Sequence, residues 1–210
     1  QMYSDPKGSG MWNFKQVGNS VFSLKYNPTA NVPLTTTRVT PFNPIAFPSS
    51  TGPVLWQGTV DDGTWVYAYA LQRPNTQTWT THDLYVARTP SKWAHSRFWD
   101  LNGWQFYTKT GWKPWAGKMF QLSQMQPIAK DAFGSGATIV KNPNGGYYAV
   151  TRQYGIIDNK FTMYTSPTPM GPFKVLVRYP CVSAPGFLNY LAKAHPEIPA
   201  GTGKVWVSVD

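Results

Sequence analysis

With 210 residues, 41% of them hydrophobic and 16% aromatic, the chain can bury one sizeable core but not two. Its single cysteine, Cys181, excludes an internal disulfide framework and reads as a small buried hydrophobe, and no run is apolar and long enough to span a bilayer. The net charge of +10 draws anions such as acidic polysaccharides, whereas the scattered basic residues form no nucleic-acid motif, so nucleic acid is not an expected partner.

The chain begins at Gln1 with no initiator Met and no signal peptide, which reads as a processed product. Only 13% of residues are charged, so the surface is built from Thr, Ser, Asn and Gln, and a secreted, extracellular protein is expected. Residues 1–10 are polar and read as an extended lead-in. Met11 to Leu24 predicts a strand pair. Asn27 to Ser50, with five prolines and many threonines, predicts a long connection.

Val54 to Thr89 is the unit that the rest repeats. Val54–Val60 and Thr64–Ala70 flank a turn at Asp61-Asp62-Gly63, and Asp83–Thr89 follows a polar gap. Short β-branched and aromatic runs around Asp-Gly predict an antiparallel hairpin. Ser91–Ser96 predicts a helical turn capped by Ser91, Gly103–Tyr107 an outer strand, and Met119–Lys130 a Gln-rich connection. The unit returns from Phe133, with a turn at Asn142–Gly146, strands at Tyr147–Arg152 and Lys160–Ser166, and a Gly171-Pro-Phe edge turn. After the loop from Pro180 to Ala194, it starts again at His195 and turns at Gly201–Gly203 into Lys204–Val209.

A small antiparallel sheet repeated in this way predicts an all-β fold of β-propeller blades, against the alternative of a β-sandwich with similar hairpins. About three blades are present in one domain spanning 1–210. Such a ring does not close, so further blades are expected from upstream residues or a second chain. Met11–Leu24 and Lys204–Val209 are expected to pair with strands from there.

Chemistry is sought where inner strands converge. Glu197, the only glutamate, follows His195-Pro196 at the expected start of such a strand. Two residues apart on one strand, the carboxylate and the imidazole share a face, either as a site pair or as a structural pair fastening a turn. Asp83, just before its strand, is either a site carboxylate, or a turn residue or the salt-bridge partner of Arg88. Arg152 either clamps a ligand or is solvated. Trp56, Trp93, Trp104, Trp112 and Trp115 include candidate sugar platforms beside their core role. Asp61-Asp62 is turn chemistry. His82 and His95 have no partner at metal-ligand spacing, and no metal or cofactor is expected.

The succession Asp83-Leu-Tyr-Val-Ala-Arg88, Gly171-Pro-Phe173, His195-Pro-Glu-Ile and Val205-Trp-Val-Ser-Val resembles a five-bladed propeller family that was first catalogued as a domain of unknown function and includes endo-D-arabinanases. The resemblance runs from Trp12 to Val209 and implies the C-terminal part of such a propeller. It departs from the family in lacking the acidic residues of a first blade and in ending on Val209-Asp210. It implies a secreted hydrolase of furanose-rich, arabinan-like polysaccharide, the alternative being a non-catalytic carbohydrate-binding or structural propeller. Glu197 or Asp83 is expected to supply one of the two catalytic carboxylates, with the other upstream, and His195, Trp56, Arg88, Arg152 and Tyr190 to bind substrate.

Overall fold

The computed structural model describes residues 55–72, 81–98, 100–118, 120–134, 136–152, 160–181, 192–196, 198–202 and 204–209, with strand backbones upstream of these and no side chains before residue 58. In the upstream part, β1 (Met2–Ser4) pairs with β2 (Phe14–Gln16), and β3 (Ser20–Lys25) pairs with β4 (Thr35–Pro41). The expected pairing within Met11–Leu24 is therefore corrected: its two strands take partners on either side. The supposed connection 27–50 holds β4, because Thr35–Thr40 is β-branched and Pro41 falls at the strand's end. It also holds β5 (Ile45–Ala46).

The first large sheet is a meander of β6 (Leu55–Asp61), β7 (Trp65–Gln72) and β8 (His82–Pro90), all antiparallel. Its hairpin closes because Gly63 takes φ +96°, a conformation open to glycine, while Asp62 Oδ1 accepts the Thr64 and Trp65 N–H groups at 2.8 and 2.7 Å. Helix α1 (Ser91–Arg97) follows. Ser91 is its first residue and not its cap, since its hydroxyl donates instead to Asp61 Oδ2 at 2.8 Å. Then β9 (Gln105–Thr108) joins β8 as expected, and β10 (Gly111–Pro114) folds back on β9. β11 (Phe120–Gln121) runs parallel to β5, and β12 (Ala129–Phe133) takes the part of the β8 edge that β9 leaves free. Phe133 thus ends a strand of the first sheet and does not open the second.

The second sheet is a four-stranded meander of β13 (Ala137–Lys141), β14 (Tyr147–Thr151), β15 (Lys160–Ser166) and β16 (Lys174–Pro180). The third hairpin pairs β17 (Ala192–His195) with β18 (Trp206–Val209). Its first strand ends at His195 where a beginning was expected, because Pro196 lacks an N–H and the Ile198 N–H turns back to the His195 carbonyl at 3.2 Å. β2, β3 and β18 each pair on one edge within the chain, with β1, β4 and β17.

Alternation builds the layers. In β7, Tyr67, Tyr69 and Leu71 face one way and Ala68 and Ala70 the other. The tyrosine face meets Phe133 of β12 and Ala137, Ile139, Tyr147, Ala149 and Tyr164 of the next sheet. The alanine face leaves room for Trp104 and Phe106, both fully buried. On the far side of the second sheet, Val140 and Val150 pack on Ala192 and Ala194 of β17. The inner strands of each meander are therefore buried on both faces, while the edge strand β16 is largely exposed, and the first strands β6 and β13 lie side by side. Buried hydroxyls tie the layers together: Tyr69 donates to the Pro169 carbonyl at 2.9 Å and Tyr164 to that of Ala132 at 2.7 Å. Cys181 is buried, as its type predicts.

Candidate functional site at the open end of the sheets

The sheets have two distinguishable ends. At the turn end, Lys141 Nζ reaches the Asp62 carbonyl at 3.4 Å, so the β6–β7 and β13–β14 turns are neighbours. At the opposite, open end, β7 finishes at Gln72 and β8 begins at His82, with Asp83 opposite Gln72 and Phe133 opposite His82. The Gly134 N–H that follows donates to Thr151 Oγ1 at 3.1 Å, and this hydroxyl donates to the Gly136 carbonyl at 2.6 Å. Arg152 comes next in the chain. Pairing and hydrogen bonds therefore gather Gln72, Thr81, His82, Asp83, Thr151 and Arg152 at one end of two sheets, and all but Asp83 are buried.

Asp83 lies within β8 and not before it. It is no partner of Arg88: five residues apart along a strand, the two point to opposite faces. Its Oδ1 accepts the Asp131 N–H at 2.8 Å, while Oδ2 accepts no hydrogen bond from the described residues. Burial raises its pKa above the ordinary aspartate value, and the Asp131 charge adds to this, against the Asp131 N–H and Lys130, which lower it. Tyr85, two positions on, is pushed up to about 12 by burial and by the Asp83 charge.

Asp131 is the residue that sequence reasoning missed. It takes φ +50°, turning its N–H onto Asp83, and its carboxylate accepts the Thr81 hydroxyl. A lone aspartate in a Gln-rich connection carries no signal of this, because its role depends on β12 crossing to β8.

Arg152 is 3% exposed, which overturns the expectation of a solvated arginine, and neither Nε nor Nη1 has a hydrogen-bond partner. Arg88 sits instead toward the turn end, between Trp65 and Trp112 at 4.1 Å from each ring, with Nε donating to Gln105 Oε1 at 2.9 Å. His195 also lies toward the turn end. It borders a cavity of about 290 Å³ shared with Lys141, Pro143 and Tyr148, and Nε2 lies 2.8 Å from Ser208 Oγ. The structure thus brings Asp83 and Arg152 to one end and places Arg88 and His195 toward the other. Glu197 and Tyr190 lie outside the described residues, as does the side chain of Trp56, whose backbone pairs with Ala70.

The candidate tryptophans whose side chains are described belong to the packing, whereas Trp206 of β18 is exposed. Trp104 is fully buried and donates to the Phe98 carbonyl at 2.9 Å, Trp115 leans on Phe106 and Phe120, and Trp93 lies under Arg97. Asp61 and Asp62 serve the turn, as expected. Among the described residues no group of three or more His, Cys, Asp or Glu is arranged to hold a metal, and no helix is long and apolar enough to cross a membrane.

Compared with known proteins, the chain matches the family model DUF5005, a domain of unknown function, over residues 2–209. No curated protein and no solved structure matches it.

Proposed function

The chain belongs to the DUF5005 family, and we propose that it is a secreted β-propeller acting as a glycoside hydrolase on a furanose-rich cell-wall or extracellular polysaccharide. The propeller reading is supported by successive meanders whose first strands adjoin and whose sheets are apolar on both faces. The observation that carries the chemistry is Asp83. One oxygen is clamped by a backbone N–H, the other accepts nothing from the described residues, and burial raises the pKa. Those are the properties of a general acid that protonates a leaving sugar oxygen. Hydrolysis needs a second carboxylate within about 10 Å, and this reading takes it from outside the described residues.

A second reading, a non-catalytic carbohydrate-binding propeller, is favoured by one detail: Asp131, the carboxylate beside Asp83, is already engaged by Thr81. Reducing-sugar release from arabinan, galactan and xylan separates the two. Under the first reading Asp83→Asn lowers release about 100- to 10,000-fold while the melting temperature holds. Binding without release by the wild-type chain selects the second reading, and neither binding nor release on the whole panel overturns both.

A further inference from the structure

An arginine guanidinium keeps its proton in a protein. Buried charges are costly unless they are paired and hydrogen-bonded. Yet Nε and Nη1 of Arg152 are without partners at 3% exposure. Internal compensation is absent among the described residues, where the single ion pair is His95–Asp61 at 3.1 Å. No described carboxylate is recorded in a hydrogen bond or ion pair with Arg152: Asp61 and Asp62 serve the β6–β7 turn, Asp100 takes Asn102, Asp131 takes the Thr81 hydroxyl, and Asp83 takes the Asp131 N–H through Oδ1. This fold does satisfy another arginine, for Arg88 has both ring faces and a side-chain amide. Next to Arg152 in register, Thr162 Oγ1 across from Thr151 is also buried without a partner.

We propose that Arg152 reads an anionic group on the glycan: its guanidinium, with Nε and Nη1 unpartnered at the open end of the sheets, takes an oxyanion carried by the sugar chain, a uronate carboxylate or a phosphate ester. This rests on the carbohydrate reading above and narrows it to acidic glycans. A planar fork of donors suits either oxyanion in bidentate fashion, and such charge-assisted bonds are the strong ones. The net charge of +10 favours the approach of an acidic chain without supplying the specificity.

The test uses the 210-residue chain and short ligands, so that bulk charge attraction does not mask the local contact: trigalacturonate, its methyl ester, a phosphorylated mannose oligosaccharide and a neutral arabinan oligosaccharide, by calorimetry at about 0.15 M salt. Binding of at least one acidic ligand more than about tenfold tighter than its neutral counterpart is expected, and Arg152→Met removes that preference. Which acidic ligand wins identifies the oxyanion. Because Arg152→Met deletes an uncompensated buried charge, its melting temperature equals or exceeds that of the wild type. A lowered melting temperature with the preference intact shows an internal partner and overturns the proposal. Should Arg152→Met fail to fold, the wild-type comparison decides alone. Equal binding of acidic and neutral ligands defeats the inference but leaves the carbohydrate reading standing, and binding of none defeats both.

Discussion

At the turn end of β6 and β7, Asp61 takes the Gly63 N–H, the Ser91 hydroxyl and His95, and Asp62 takes two more N–H groups. At the other end of the same sheet and its neighbour, Asp83 keeps an oxygen that the described residues do not engage, and Arg152 and Thr162 are buried with polar atoms unmet. The turn end uses its aspartates to close the chain: the N–H donors come from residues two or three positions away, and Ser91 and His95 of the helix after β8 complete the set. The open end has spent backbone pairing up to Thr151 and holds polar groups beyond what the described fold requires. A protein keeps such groups where something other than its own stability needs them.

The comparison is broken most severely by removing what holds the open end together. Phe133 is fully buried, stacks on Tyr164 with centroids 5.0 Å apart and meets Phe173 edge-on at 5.6 Å. Phe133→Ala is expected to cost about 3–5 kcal/mol in chemical denaturation. A loss under about 1 kcal/mol would mean that the two sheets do not depend on this contact. Next in size is Thr151→Val, which leaves the Gly134 N–H and the Gly136 carbonyl without their partner at nearly constant shape. An expected loss of about 1–3 kcal/mol is read from the same denaturation curves, and a neutral result would separate the Gly134–Gly136 loop from the stability of this end.

The smallest effect sharpens the contrast between the two aspartates. Burial raises the Asp61 pKa, but the Gly63 N–H, Ser91 and His95 outweigh it, so the net shift is downward; for Asp83 the net shift is upward. A lowered folded pKa gives stability that is present above 3.8 and lost on acidification; a raised one gives stability that is present below 3.8 and lost as pH climbs through the folded value. Melting temperatures from about pH 2 to about pH 6 should therefore show Asp61→Asn approaching wild type as pH falls, and Asp83→Asn gaining on wild type as pH rises. Parallel profiles for both variants would show that the two ends treat their carboxylates alike.

Much of the local structure was legible beforehand. β7, β8, β14 and β15 fall within a residue or two of the β-branched and aromatic runs, and Asp62-Gly63 and Asn142–Gly146 mark their turns. Turn chemistry acts over two to four residues, so composition suffices to find it. Asp83 was singled out on type and place, but its neighbour Asp131 was not, because their hydrogen bond spans 48 residues of chain. Arg152 was recognised as a possible clamp, yet its burial was unreadable from Thr-Arg-Gln.

What the amino-acid order determined by itself is the alternation that makes each run a strand, the glycine turns that fold the runs into hairpins, and an all-β chain with apolar residues on both faces of its sheets. What only the tertiary structure decided is who stands beside whom: β12 on β8 rather than ahead of β13, β17 ending where it was expected to begin, Arg88 between two tryptophans and Arg152 buried with Nε and Nη1 unpartnered. The physical reason is range. Side-chain alternation and turn geometry are set by neighbours in the chain, whereas burial and pairing of a charge are set by a second sheet whose residues lie tens of positions away.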